Sequence, residues 1–214
     1  IVVGLFVGND IYVDRFSTDQ TRSAVLGRRV TRGAANDWRT TLRVLAYENS
    51  HIYRALMRIK PNDMSFAREH CADFDEIHLA IQEERVDAHL AQPTDDKKRM
   101  LDGNMAELSR MQAVADEMGA GLLIVILPDE NQINPALQAR VISAERLGDY
   151  DFDMPQTYIR DYLASRGIAS LDLLELIRSD ERCLFMNDTH WVAAGHRLVA
   201  EQIRDYLQAN ELVP

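Results

Sequence analysis

The 214-residue sequence predicts an α/β fold with a parallel sheet, because short unbroken apolar runs alternate with segments of helical periodicity. Two runs carry most of this reading. Ile1 to Val7 stops at Gly8-Asn9-Asp10, and Gly121 to Leu127 stops at Pro128-Asp129. An apolar run with no polar alternation, ended by turn residues, is the pattern of a strand buried on both faces. Ile168 to Leu171, just after Gly167, is a shorter third strand.

The helices follow from spacing. Met105, Leu108, Met111, Ala115 and Met118 recur at steps of three and four, and Gly119 supplies the C-terminal stop. Tyr158, Ile159, Tyr162 and Leu163 form a second stripe between Pro155 and Gly167. Val199, Ile203 and Leu207 line a last helix whose other face carries Arg197, Glu201, Arg204 and Asp205. The stretch from about residue 11 to residue 99 breaks this rhythm. It has helix-like pieces over 40–59 and 74–90 and breaks at Pro61-Asn62-Asp63 and Pro93-Thr94-Asp95-Asp96, and it reads as a helical excursion that shapes or covers a site.

Composition narrows the function. Hydrophobic residues make up 46% and charged residues 27%, the balance of a globular chain able to build its own core. A formal net charge of −10 argues against nucleic-acid binding, which needs clustered Lys and Arg. No apolar run approaches the roughly 18–20 residues that span a bilayer. Cys71 and Cys183 lack CxxC or CxxH spacing, so neither a zinc site nor a redox motif is indicated; two buried free thiols are expected, with a single disulfide as the alternative in an exported protein. Ile1 opens directly inside an apolar run, so the chain is expected to be a fragment that lacks upstream sequence.

In an open parallel sheet, ligands bind beyond the carboxyl ends of the strands. Gly8-Asn9-Asp10 falls at such an end, where the Asn9 amide is a candidate donor to an oxyanion, the plain alternative being a turn. In Asp188-Thr189-His190-Trp191, a tight loop would let the carboxylate orient the imidazole for proton transfer. The alternative has Asp188 capping the following helix, with His190 and Trp191 packed beneath it. Asp129 and Glu130 read as pocket-lining or simply solvated residues, and His196 as a supporting residue at the start of the last helix. His51, His70, His78 and His89 lack the paired spacing of a metal site, so neither a metal nor another cofactor is expected. No Gly-rich phosphate loop follows either strong strand.

Asn9 after the first strand, with Asp188 and His190 just before a C-terminal amphipathic helix, resembles the SGNH/GDSL hydrolase superfamily. Residues Gly195 to Glu201 are similar to the helix after the family's final motif, and Ile124 to Asp129 to the preceding sheet strand; Leu171-Asp172-Leu173-Leu174 adds a further match upstream of the Asp/His loop. The Asp-x-His-Trp spacing is similar to the branch that includes alginate O-acetylation proteins.

The resemblance implies a three-layer α/β/α fold with a parallel, flavodoxin-like sheet. It implies that the first strand or strands are missing from a single partial domain spanning 1–214, with 11–99 as a helical insertion. It also implies a serine ester hydrolase or O-acyltransferase acting on a small-molecule or carbohydrate ester. Asn9 would complete the oxyanion hole, Asp188 would orient His190, and His190 would act as general base and acid. The family's nucleophile sits in a Gly-Asp-Ser motif, and none of the serines between Ser17 and Ser179 has that setting. The nucleophile is therefore expected upstream, and the 214 residues alone are expected to be inactive. The rival expectation is a non-catalytic carbohydrate-binding or scaffold domain on the same fold.

Overall fold

The computed structural model describes residues 1–8, 10–12, 74–186 and 189–212. The chain divides into two units, 1–13 with 66–214 and 14–65, and every described residue belongs to the first. The helix-like piece expected at 40–59 lies outside the described residues.

Three parallel strands form the sheet in the order β1-β2-β3: β1 (Val2–Phe6), β2 (Leu123–Leu127) and β3 (Ala169–Asp172). Val2 pairs with Leu123 and Leu123 with Ala169, which sets the register across the sheet. β2 is central, and Leu123 to Ile126 are each no more than 1% exposed. This is why its sequence is an unbroken aliphatic run: alternate side chains enter two different cores.

One core takes Ile124 and Ile126 of β2 with Leu5 and Val7. Against it pack Leu101, Met105 and Leu108 of α2 (Asp95–Glu117) and Ile159 and Leu163 of α5 (Met154–Ser165). The other core takes Leu123 and Val125 with Ile177, Leu184 and Phe185, beneath Leu198, Val199 and Ile203 of α7 (Ala193–Ala209). Helices on both faces of a parallel sheet make the three layers that the sequence predicts. Each fully buried Leu or Ile contributes about 1.5–3 kcal/mol relative to exposure.

Caps and glycines set the helix bounds. The Thr94 hydroxyl accepts from Lys97 N at the start of α2, and Asp95 and Asp96 lie in its first turn, where the helix dipole favours negative charge. The Pro93-to-Asp96 break is thus a helix entry. Gly119 (φ +66°) and Gly167 (φ +67°) follow α2 and α5 in the left-handed conformation that costs glycine least. The 74–90 pattern resolves into α1 (Glu76–Arg85), capped by Asp75, and a 3-10 turn over Val86–His89.

Three short helices escape a periodicity reading because none is long enough to repeat a stripe. They are α3 (Glu130–Ile133), α4 (Pro135–Val141) and α6 (Leu174–Arg178). Local chemistry explains the second: Asn134 caps it by accepting from Leu137 N, and Pro135 takes the first helical position.

The cysteine expectation is corrected. Cys183 is disulfide-bonded, and there is no free cysteine among the described residues. Cys71, the other cysteine of the chain, lies outside the described residues. No helix among the described residues is long and apolar enough to cross a membrane.

Candidate active site

The ladder between β1 and β2 runs one residue past the strands, with Val7 N donating to Leu127 O at 3.0 Å. Gly8 follows in a space that admits no side chain. A Cβ there would lie 2.3 Å from Asp129 Oδ2 and 2.6 Å from Phe6 Cε1. On the other side of the turn, the Asp10 carboxylate folds back and accepts from Phe6 N at 2.8 Å. Both neighbours of Asn9 are therefore held against the end of the sheet. Asn9 itself, the expected oxyanion donor, lies outside the described residues.

Beyond β2, Asp129 and Glu130 are buried rather than solvated, and Glu130 contributes to the wall of a groove. They are 0% and 3% exposed. Asp129 caps α3 in a reciprocal arrangement: its carboxylate accepts from Asn131 N, and Gln132 Oε1 accepts from Asp129 N at 2.9 Å. Asn131 Nδ2 donates to the same carboxylate at 2.8 Å. From the other side, His89 Nε2 stands 3.7 Å from Asp129 Oδ1 and Arg85 Nη1 stands 3.7 Å from Oδ2. Burial pushes this carboxyl up, but His89, the Arg85 guanidinium and the Asn131 amide outweigh it and hold the group below the usual Asp value.

Partners for Glu130 come from α1 and from the residue after α3. His78 Nε2 lies 3.3 Å from Glu130 Oε2, and Asn134 Nδ2 donates to Oε1 at 3.1 Å. Phe74 stacks on the His78 ring and Phe152 lies against the His89 ring. The sequence placed these two histidines in an excursion without a role. The structure puts them under the end of β2, as partners of two buried carboxylates. No group of three or more His, Cys, Asp or Glu suited to a metal ion occurs among the described residues.

At the end of β3, Asp172 accepts from Leu174 N at 3.0 Å and opens α6. Burial raises its carboxyl pKa above the ordinary value despite Arg160 at 3.7 Å.

His190 lies in a tight hairpin. Phe185 and Trp191 pair antiparallel, Val192 N donates to Leu184 O, and Met186 N donates to His190 O at 2.7 Å. Thr189 closes the turn by donating to Met186 O, with φ at +71°. A β-branched residue in this region is strained, and such strain concentrates where a loop must hold a particular side-chain placement. The Trp191 ring packs edge-on against Phe185, joins the α7 core and has the His196 ring 6.2 Å away. Gly195 lets α7 approach the hairpin, since a Cβ there would lie 3.1 Å from Leu184 O.

His190 is exposed, whereas Thr189 is buried beneath it. α7 opens at Ala193 with Val192 in the N-cap position. Asp188 lies outside the described residues, so of Asn9, Asp188 and His190 the structure places His190. A groove of about 210 Å³ is lined by Glu130, Arg178, Asp180, Arg182 and the entering hairpin residues Leu184 and Phe185. It brings the base of the hairpin beside the end of β2.

The described residues thus form an α/β unit with helices on both faces of a parallel sheet and an exposed histidine on a strained hairpin. The family described as the SGNH hydrolase-like domain of acetyltransferase AlgX matches residues 86–214, more than half of the chain, and the chain belongs to that family. The match includes β2, β3, Asp129 and the Asp188-to-Trp191 motif, and it begins after β1 and Asn9. No curated protein and no solved structure matches the chain.

Proposed function

We propose that the intact protein is an SGNH-type serine ester hydrolase or O-acyltransferase acting on a small-molecule or carbohydrate ester. The observation that carries this reading is the exposed His190 on the strained Thr189 turn, within the part of the chain that matches the family. A serine hydroxyl attacks the ester carbonyl while His190 accepts its proton. His190 then gives that proton to the departing alcohol, and an acyl-serine remains. Water, or the hydroxyl of an acceptor, attacks the acyl group as His190 accepts its proton, and His190 returns that proton to the serine oxygen as the acyl–serine bond breaks. Asp188 fixes the tautomer of His190 and stabilises the imidazolium. Asn9 and backbone amides hold the oxyanion of each tetrahedral intermediate.

The nucleophile is assigned to sequence preceding Ile1, because no serine among these 214 residues has a Gly-Asp-Ser setting. Fluorophosphonate labelling of the full-length protein tests both parts. The expected result is labelling at one upstream serine, strongly reduced in His190→Ala. An unlabelled full-length protein sinks the serine-hydrolase reading. Labelling at a serine between Ser17 and Ser179 sinks the upstream nucleophile.

A further inference from the structure

Of the two buried carboxylate–imidazole pairs at the end of β2, Asp129 with His89 stands against the end of β1, and both of its side chains are 0% exposed. No substrate reaches either of them, so the pair is not a second reacting centre. Its place in the fold suggests a different use. Asp129 Oδ2 lies where a side chain on Gly8 would have to be, and the Phe6 ring closes the same space. Arg85 stands 3.7 Å from that oxygen and has its guanidinium 5.4 Å from the centroid of the Phe6 ring. Arg85, Phe6, Gly8 and Asp129 are thus one contiguous stack, locked to α3 by the Asn131 amide and to the 86–89 turn by His89.

We propose that Asp129 is a positioning residue for the Gly8–Asp10 turn and, through it, for the Asn9 side chain. The functional half of this statement rests on the oxyanion role given to Asn9 above. Two carboxylates then hold the turn from opposite sides. Asp10 fixes its outer side by accepting from Phe6 N, and Asp129 fixes its inner side by filling the space that Gly8 leaves. A carboxylate suits the inner position because four groups from three segments converge on it: Arg85, His89, and the backbone and side-chain amides of Asn131. A neutral or shorter side chain would bond fewer of them and let the end of β2 part from the end of β1. Ordering a donor before the charge develops is what makes an oxyanion site effective, and small displacements there are costly.

The test is hydrogen exchange measured by mass spectrometry on the full-length protein, with Asp129→Asn and Arg85→Met beside the wild type. Asp129→Asn is expected to speed exchange in the peptide covering Phe6 to Asp10 by about tenfold, while the 184–192 hairpin keeps its protection. Arg85→Met, on a partly exposed side chain, is expected to act in the same direction more weakly. Arg85→Lys, which keeps a cation, should restore part of the protection. In ester hydrolysis, Asp129→Asn should lower kcat by about 10- to 100-fold with KM within about twofold, the signature of a misplaced transition-state donor. Unchanged exchange over Phe6 to Asp10 in a folded variant overturns the proposal whatever the kinetics show. If Asp129→Asn does not fold, Arg85→Met decides by the same criterion. If the wild type hydrolyses no ester, the functional reading falls alone and the exchange result still judges the positioning role.

Discussion

The end of β2 and the 185–191 hairpin both present acid–base residues, and they use them in opposite ways. At the end of β2, His78, His89, Asp129 and Glu130 are buried and pair across separations of 40 and 52 residues in sequence. In the hairpin, the backbone is pinned and strained but His190 faces solvent. A histidine near a carboxylate is therefore not in itself a sign of chemistry. Access decides, because side chains buried against one another contribute to structure and cannot meet substrate.

Thermal unfolding of point variants can break this contrast. His89→Ala should be the most damaging, costing about 3 kcal/mol, because it removes a fully buried ring and strips Asp129 of a partner. Asp129→Asn should cost about 2 kcal/mol at neutral pH by weakening the same contacts while keeping the shape of the side chain. That cost carries a pH signature. The folded-state pKa of Asp129 lies below its ordinary value, so its contribution is present above the unfolded-state value of about 3.9. The contribution is lost as pH falls through the lower folded value. The wild type and Asp129→Asn should therefore converge in stability as pH falls below about 4, and a constant gap would reject the charged role.

Smaller changes sharpen the comparison. Gly195→Ala places a Cβ 3.1 Å from Leu184 O and 3.2 Å from Trp191 Cβ. It should cost about 1 kcal/mol and shift the fluorescence of Trp191. His190→Ala should change stability by less than about 0.5 kcal/mol, since the residue is exposed. A loss comparable to that of His89→Ala would mean that the two regions are not different in kind.

The sequence made the layers readable and left the buried cluster hidden, for physical reasons. A strand buried on both faces writes itself as an aliphatic run, so β2 stood out. β1 and β3 were found by the same apolar pattern, although β1 is exposed at Val2 and β3 is at most half-buried. Helices longer than three turns repeat a stripe, so α2, α5 and α7 stood out too. Burial of Asp129 and Glu130 is a tertiary property. It depends on α1 arriving from a stretch with no strand pattern, and an acidic pair after a strand looks the same whether covered or solvated. One local signal was legible: Asp129 and Gln132 have the spacing of a capping box, which places Asp129 at a helix entry. At the hairpin, the residue types at 188–191 were readable, whereas the left-handed turn at Thr189 was not, because nothing about threonine favours it.

The distinction between a histidine that supports and one that reacts is tested most directly by steady-state hydrolysis of p-nitrophenyl acetate by the full-length protein and its His190→Ala variant. The predicted result is a fall in kcat/KM of about 1,000-fold with an unchanged melting temperature. Undiminished turnover by a folded His190→Ala protein would contradict the account.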